Sequence, residues 1–253
     1  MRGLARTIGA VLGVSLGTAV DVAAQAAPET ISFAGRKLEW RAATRESTAG
    51  DVVVLRLHTD RGDIDTRFHP GSENSTGKGL AVVWVGGAGG GLDGPARGLY
   101  PAASEQLQQR GIASLRLHYR EPNELRECVL DTLAGVAFLA REGATRVAVV
   151  GHSFGGAVVI SAGASSPKIK AVVPMSSQTY GTELTPAVAP RAMLLIHGTN
   201  DTVLSDRCSR QIYAQAGEPK EIKLYPGAGH GLDEVRQEVL DLLVRWIPEK
   251  LAR

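Results

Sequence analysis

The spacing of apolar residues along the chain changes near residue 80. Residues 52–59 and 64–69 each alternate apolar with more polar side chains, and a short polar turn lies between them. Alternation with a period of two is typical of a strand that buries one face. These segments predict an antiparallel hairpin, and a weaker alternation over 31–44 predicts a short extra hairpin before it.

Beyond residue 80, continuous apolar runs alternate with segments whose apolar residues recur every three or four positions. The runs predict strands over 80–85, 112–117, 146–151, 171–175, 192–197 and 221–225. The helical spacing predicts helices over 124–140, 157–164, 205–216 and 232–247. Strands that are apolar throughout and alternate with helices indicate a parallel sheet that is buried on both faces. No linker interrupts the pattern, so we predict one α/β domain over residues 27–253.

The N-terminal segment has the layout of a secretory signal peptide. Arg2 and Arg6 precede a mildly apolar stretch of residues 7–20, and Ala24-Gln25-Ala26 forms a small-residue cleavage site. We therefore predict that residues 1–26 are a signal peptide and that the protein is secreted or periplasmic. The alternative is an N-terminal extension of a cytoplasmic protein. The apolar stretch is too short for an integral membrane span.

Composition excludes several classes of function. The 253 residues carry 28 Lys and Arg against 26 Asp and Glu, which gives a net charge of +2 without a basic cluster. A nucleic-acid partner is therefore not predicted. The sequence has neither a C-x-x-C nor an H-E-x-x-H motif, and its six histidines are dispersed, so no metal is predicted.

The pentapeptide at residues 151–155 matches G-x-S-x-G with Ser153 at its centre. In this glycine-rich chain the motif alone is weak, but it follows the predicted strand 146–151 and opens a helix. That context is the one a nucleophile elbow requires, because a sharp turn there lifts the hydroxyl above the carboxyl edge of the sheet.

A serine hydroxyl needs a base to take its proton. His230 follows the predicted strand 221–225, and Asp201 follows the strand 192–197. All three residues then lie beyond carboxyl ends of strands, where they can converge. We predict Ser153 as nucleophile, His230 as base and Asp201 as the acid that orients it.

Other titratable residues near these loops have simpler interpretations. His152 lies inside the elbow and is predicted to be a packing residue. His197 ends a strand and is predicted to hydrogen-bond the Asp201 turn. Asp206 and Asp233 each lie near the start of a predicted helix, where a negative charge suits the helix dipole.

Residues 86–91 are five glycines and an alanine directly after the strand 80–85. Backbone amides of such a loop can stabilise an oxyanion, and we predict the amides of Phe154 and Ala88 as the two donors. The rival reading is a nucleotide cradle, since residues 89–94 fit G-x-G-x-x-G. Prolines and glycines after residue 94 delay the helix that a dinucleotide site needs at this point.

With Ser153, Asp201, His230 and the glycine loop in this order, the chain resembles the α/β-hydrolase superfamily, and its compact plan is similar to dienelactone-hydrolase-like serine esterases. The resemblance covers roughly residues 50–250. Two features depart from the family pattern: dienelactone hydrolases proper use a cysteine nucleophile, and the family's loop often begins His-Gly rather than Gly-Gly.

The resemblance implies a single-domain α/β-hydrolase fold: a mostly parallel sheet with helices on both faces, an N-terminal antiparallel hairpin and no large lid. Larger relatives insert their lid in the interval that corresponds to residues 174–191, which here is short and rich in proline. We therefore predict an open, shallow pocket. Tyr180, Met175, Tyr119 and Leu92 are the candidates for its walls.

The predicted function is hydrolysis of small-molecule carboxylic esters through an acyl-enzyme intermediate, without a cofactor. A peptidase or amidase of the same fold and a non-catalytic hydrolase-fold binding protein are the alternatives. The natural substrate and the oligomeric state do not follow from the sequence.

Overall fold

The computed structural model describes residues 27–72 and 74–253. The predicted signal peptide, residues 1–26, lies outside the described residues.

The strands are β1 (Glu29–Phe33), β2 (Arg36–Ala49), β3 (Val52–Thr59), β4 (Gly62–His69), β5 (Leu80–Val85), β6 (Ala113–His118), β7 (Arg146–His152), β8 (Ile169–Met175), β9 (Ala192–Gly198) and β10 (Lys220–Tyr225). The α-helices are α1 (Pro95–Gln108), α2 (Leu125–Arg141), α3 (Phe154–Ser165), α4 (Arg207–Gln215) and α5 (Arg236–Ala252).

The strands form one sheet in the order β1-β2-β3-β4-β6-β5-β7-β8-β9-β10. The first four strands pair antiparallel and join the rest through an antiparallel β4–β6 pair. From β6 to β10 every pair is parallel. The predicted mostly parallel α/β sheet with an N-terminal antiparallel hairpin is confirmed.

Helices cover both faces of the parallel strands. Buried side chains of α2, α3 and α4 share one apolar core with one face of the sheet. Those of α1 and α5 share a second core with the other face. Central strands such as β5 and β9 are therefore almost wholly buried, which explains their continuous apolar sequences.

The N-terminal part of the sheet is larger than its sequence predicts. Strand β2 has 14 residues, and it continues well past the short hairpin expected over 31–44. Its pairing with β3 shifts register twice, between Trp40 and Ala42 and between Arg45 and Ser47. Each bulge inserts a residue and breaks the period of two, so apolar alternation does not reveal the full strand.

Helix α1 is also poorly marked in the sequence. Ala96, Arg97 and Gly98 have positive φ angles, and the regular part of the helix follows them. In the same stretch of sequence, Pro95 and Pro101 further obscure the helical signal. The helix nevertheless buries Leu99, Ala103 and Leu107 against the sheet.

A buried charge cluster ties the N-terminal strands to the helical core. The Glu127 side chain on α2 is 1% exposed and accepts hydrogen bonds from Arg36, Arg61 and Arg120. Arg120 also donates to Asp131 at 2.5 Å. Burial acts to raise the pKa of Glu127, but the arginine hydrogen bonds outweigh it and bring the pKa to about 2.

We expect Glu127→Gln to destabilise the fold by about 2–4 kcal/mol at pH 7, because Arg120 keeps a buried charge that loses one partner. Urea denaturation measures the free energy of unfolding. Glu124→Gln, at the exposed residue directly before the same helix, is the matched control and should change it by less than about 0.5 kcal/mol.

The same pair of variants tests the pKa of Glu127. The folded-state pKa lies below the ordinary value of 4.5, so the stabilisation is complete above that pH and disappears as pH falls toward about 2. The difference between wild type and Glu127→Gln should shrink over this interval. A difference that is independent of pH would contradict the assignment.

Candidate active site

The turn between β7 and α3 places Ser153 in a conformation that few residues adopt. Its φ is 58° and its ψ is −121°, and helix α3 begins at the next residue. Gly155 lies so close to the end of β5 that a Cβ there would collide with the carbonyl oxygen of Gly86. The strand, sharp turn and helix expected around the G-x-S-x-G motif are therefore present. Ser153 Oγ makes no hydrogen bond to any other residue in 27–72 and 74–253.

The loops after β9 and β10 bring Asp201 and His230 together. Asp201 Oδ2 lies 2.7 Å from His230 Nδ1. The Asp201 side chain is completely buried, whereas that of His230 is one-fifth exposed. The loop of His230 crosses above the end of β9, where a Cβ at Gly198 would collide with the Ala228 carbonyl oxygen.

Asp201 is held as a carboxylate by the donors around it. Its Oδ1 accepts hydrogen bonds from the amides of Val203 and Leu204, each at 2.8 Å. Burial acts to raise the pKa of Asp201, but these amides and His230 outweigh it and the pKa lies below its usual value. An ionised Asp201 accepts the Nδ1 proton of His230, which leaves the other ring nitrogen, Nε2, free to act as a base.

A second histidine supports the same carboxylate. Nε2 of the buried His197 lies 3.1 Å from Asp201 Oδ2 and 2.9 Å from the Leu204 carbonyl oxygen. Both are acceptors, so this nitrogen carries the proton, and Nδ1 accepts from the Ser209 hydroxyl at 2.7 Å. His197 thus hydrogen-bonds the Asp201 turn, as the sequence predicts.

His152 does more than the predicted packing. Its Nε2 donates to the backbone oxygen of His230 at 2.8 Å, and the centroids of the two rings are 4.7 Å apart. Burial lowers the pKa of His152 to about 4. A neutral His152 therefore anchors the His230 loop beside the turn that carries Ser153. The sequence places it only next to Ser153, because the approach of the loop after β10 depends on the tertiary structure.

The glycine loop lies directly against Ser153. A Cβ at Gly87 would lie 3.5 Å from Cβ of Ser153. Tyr119 donates to the Gly86 carbonyl oxygen at 3.1 Å, and its ring meets that of Phe154 edge-on with centroids 6.4 Å apart. Tyr119 thus connects the two segments that carry the predicted oxyanion donors.

Within the described residues, the amides of Ala88 and Phe154 donate no hydrogen bond to protein acceptors. Other amides of the loop are occupied: that of Gly90 donates to Gly87 O and that of Gly91 to His118 Nδ1, each at 2.9 Å. The amide of Gly89 also donates no hydrogen bond to a protein acceptor among the described residues.

The remaining candidates lie apart from the Asp201–His230 pair. Asp206, just before α4, forms an ion pair with Arg210. Asp233 begins a short 3-10 helix and faces Arg97. In the part of the chain that the structure describes, no group of three or more His, Cys, Asp or Glu side chains could hold a metal ion.

The expected pocket walls need a correction. Met175 and Tyr119 are buried at 0% and 1% exposure, so they belong to the core beneath the site. Tyr180 is 74% exposed on the loop after β8, and Leu92 is half-buried. Residues 176–191 form loops and one 3-10 helix, Thr185–Val188, and no cap helices lie between β8 and β9.

The sheet, the elbow and the paired Asp201 and His230 define the α/β-hydrolase fold, and comparisons identify the family. The sequence model of the dienelactone hydrolase family matches residues 99–242, so the chain belongs to that family of hydrolases. No curated protein matches the sequence.

Solved structures share the fold at low sequence identity. Est1E from Butyrivibrio proteoclasticus is 18% identical with a TM-score of 0.66, covering 79% of this chain and 99% of its own. A dienelactone hydrolase from Anabaena variabilis is 20% identical with a TM-score of 0.66, covering 79% and 98%. XC6422 from Xanthomonas campestris, described as an α/β serine hydrolase without lid, is 16% identical with a TM-score of 0.63, covering 79% and 97%.

We expect His152→Phe to lower kcat/KM for an activated ester such as 4-nitrophenyl acetate by about tenfold, because the ring volume stays but the hydrogen bond to the His230 loop is lost. The acid limb of the pH–rate profile should keep its midpoint, since a group with a pKa of about 4 is neutral through the assay range.

His58→Phe, at a half-buried position on β3 in the antiparallel part of the sheet, is the control and should leave both quantities unchanged. An unaltered kcat/KM in His152→Phe would show that the hydrogen bond to His230 has no positioning role. Loss of the acid limb would make His152 the titrating group.

Proposed function

We propose that this protein is a serine hydrolase that cleaves small-molecule carboxylic esters. The observation that carries the proposal is the 2.7 Å hydrogen bond between a buried carboxylate and His230, next to a serine held at positive φ. A base with its tautomer fixed and an exposed hydroxyl are the two requirements for activating a serine.

In the proposed mechanism, the first half-reaction transfers the acyl group of the ester to Ser153. Ser153 Oγ attacks the acyl carbon as His230 Nε2 takes the hydroxyl proton. The carbonyl oxygen becomes an oxyanion that accepts hydrogen bonds from the amides of Phe154 and Ala88. The ester C–O bond then breaks, and the leaving alkoxide takes the proton from His230. Asp201 stabilises the imidazolium between these two transfers.

Deacylation repeats the sequence with water. His230 takes a proton from the water as its oxygen attacks the acyl carbon. The bond from the acyl carbon to Ser153 Oγ breaks, Oγ receives the proton from His230, and the carboxylic acid leaves. The protein's own residues supply every proton transfer, so the mechanism requires no cofactor.

The neighbouring structures support ester substrates. Est1E is described with bound ferulic acid, and XC6422 as a serine hydrolase. A peptidase or amidase of this fold and a non-catalytic binding protein are the competing functions. A fluorophosphonate probe that labels Ser153 separates a hydrolase from a binding protein, and matched ester and amide substrates separate the two hydrolases.

We expect Ser153→Ala, His230→Ala and Asp201→Asn each to reduce kcat/KM for 4-nitrophenyl acetate by at least about 10³-fold while the fold persists. Because triad members act as a unit, the Ser153→Ala/His230→Ala double variant should be hardly worse than either single one. Steady-state kinetics measure the loss of activity, and thermal denaturation checks that each variant is folded.

Asp206→Asn is the matched control for the acid, because Asp206 bonds to Arg210 rather than to a histidine. It should keep near-normal activity. Near-normal turnover by Ser153→Ala would show that Ser153 is not the nucleophile. Activity that survives in Asp201→Asn but is lost in Asp206→Asn would show that Asp206, and not Asp201, is the acid of the triad.

The short segment between β8 and β9 generates a prediction about substrate. Two cap helices would need on the order of 30 residues to cover the cleft, at about 1.5 Å of rise per residue. With an uncovered site, short-acyl esters should be cleaved well, and the rate should not jump when a substrate exceeds its solubility. Rates against concentration for acetate and dodecanoate esters measure this. A sharp rise at the emulsion threshold would contradict it.

A further inference from the structure

A cavity of about 370 Å³ lies at the edge of the sheet opposite the catalytic residues. It opens where β7, β8, β9 and β10 begin and where α5 ends. Five cationic side chains line it: Arg146, Lys170, Arg191, Lys250 and Arg253. No Asp or Glu is among the lining residues. Its volume falls within the range of small-molecule sites, roughly 300–1,000 Å³.

The positive charge in this cavity is only partly compensated. Lys250 bonds to Glu221 and Glu249, and Arg253 to Glu249. Within the described residues, Arg146, Lys170 and Arg191 form no ion pair. The five lining cations bond to only two carboxylates, those of Glu221 and Glu249, so three positive charges remain in excess. A bound anion would lower the repulsion between these charges.

Two of these arginines differ in their hydrogen-bond partners. Arg191 donates to backbone oxygens of Ile169 and Ser166 and to those of the 3-10 helix before it, so its guanidinium is held in place. Nε of Arg146 is buried and has no acceptor among the described residues. The rest of the Arg146 guanidinium lines the cavity and donates no hydrogen bond to a protein acceptor among the described residues, so its donors are available to a ligand oxygen.

The uncharged part of the lining is apolar and stiff. Pro167, Pro190 and Pro219 lie beside Ala192 at the starts of the strands. Proline rings lose little conformational entropy when a ligand packs on them. The cavity thus combines an apolar surface with a surplus of cations, which suits an anion that carries a ring or a short hydrocarbon group.

We propose that this cavity binds a small organic phosphate. A phosphate monoester carries a charge of nearly −2 and three acceptor oxygens, which matches several converging Arg and Lys side chains better than a carboxylate does. Strands of six or seven residues separate the cavity from Ser153, Asp201 and His230, or about 20 Å at 3.3 Å per residue. The site is therefore distinct from the active site and does not depend on the proposed esterase function.

Isothermal titration of the full-length protein with phenyl phosphate at low salt tests the proposal. We expect saturable binding with 1:1 stoichiometry, weaker binding of inorganic phosphate, no binding of phenol and a marked loss of affinity as salt is raised. Arg146→Gln and Lys170→Gln should each weaken binding of phenyl phosphate by about tenfold, the loss expected for one charge-assisted contact.

Lys37→Gln, at an exposed position on β2, makes the same change in net charge far from the cavity and should bind as the wild type does. Hydrolysis of 4-nitrophenyl acetate should be unchanged in all three variants, which shows that they fold. Absence of phenyl phosphate binding, or an equal loss in Lys37→Gln, would overturn the proposal. So would binding only to vesicles that contain anionic phospholipid, since that result would indicate a membrane surface instead of a small ligand.

Discussion

A fully buried carboxylate requires donors on all sides, and Asp201 organises the candidate active site for this reason. Its two oxygens accept four hydrogen bonds, from two backbone amides and two histidines. The amides fix the loop after β9, and His230 belongs to the loop after β10. Loss of any of these donors would leave charge unsatisfied in a site without water contact, so the two loops hold each other in place.

The opposite side of the site depends on close approach of backbone. Ser153, Gly155 and the glycine loop come so near to one another that a side chain at Gly155 has no room. Tyr119 then links the loop to the elbow through Gly86 and Phe154. Since His152 bonds to the backbone of His230, the elbow and the base are also joined. Preorganised donors of this kind stabilise a developing charge without rearranging during the reaction.

The sequence predicts the features that follow from local periodicity and from chain order. Apolar runs mark the buried strands of the parallel sheet, and the order of Ser153, Asp201 and His230 places each of them after the carboxyl end of a strand. Since these ends share one edge of a parallel sheet, the convergence of Asp201 and His230 follows from topology. The features that escape prediction depend on tertiary contacts. The bulges of β2 break its alternation, and the role of His152 arises where the loop after β10 crosses over two intervening strands.

The same topology explains why the two edges of the sheet differ in chemistry. At the carboxyl edge, loops are long enough to fold over one another and bury Asp201 with its histidines. At the amino edge, Arg146 is the first residue of β7 and Lys170 the second residue of β8, and both are half-buried. The interiors of β7 and β9 between the two edges are completely apolar, so charges at one end of these strands do not continue to the other. Helix α5 runs from Arg236, just after the loop of His230, past Lys250 to Ala252, so it spans the two edges along one face of the sheet.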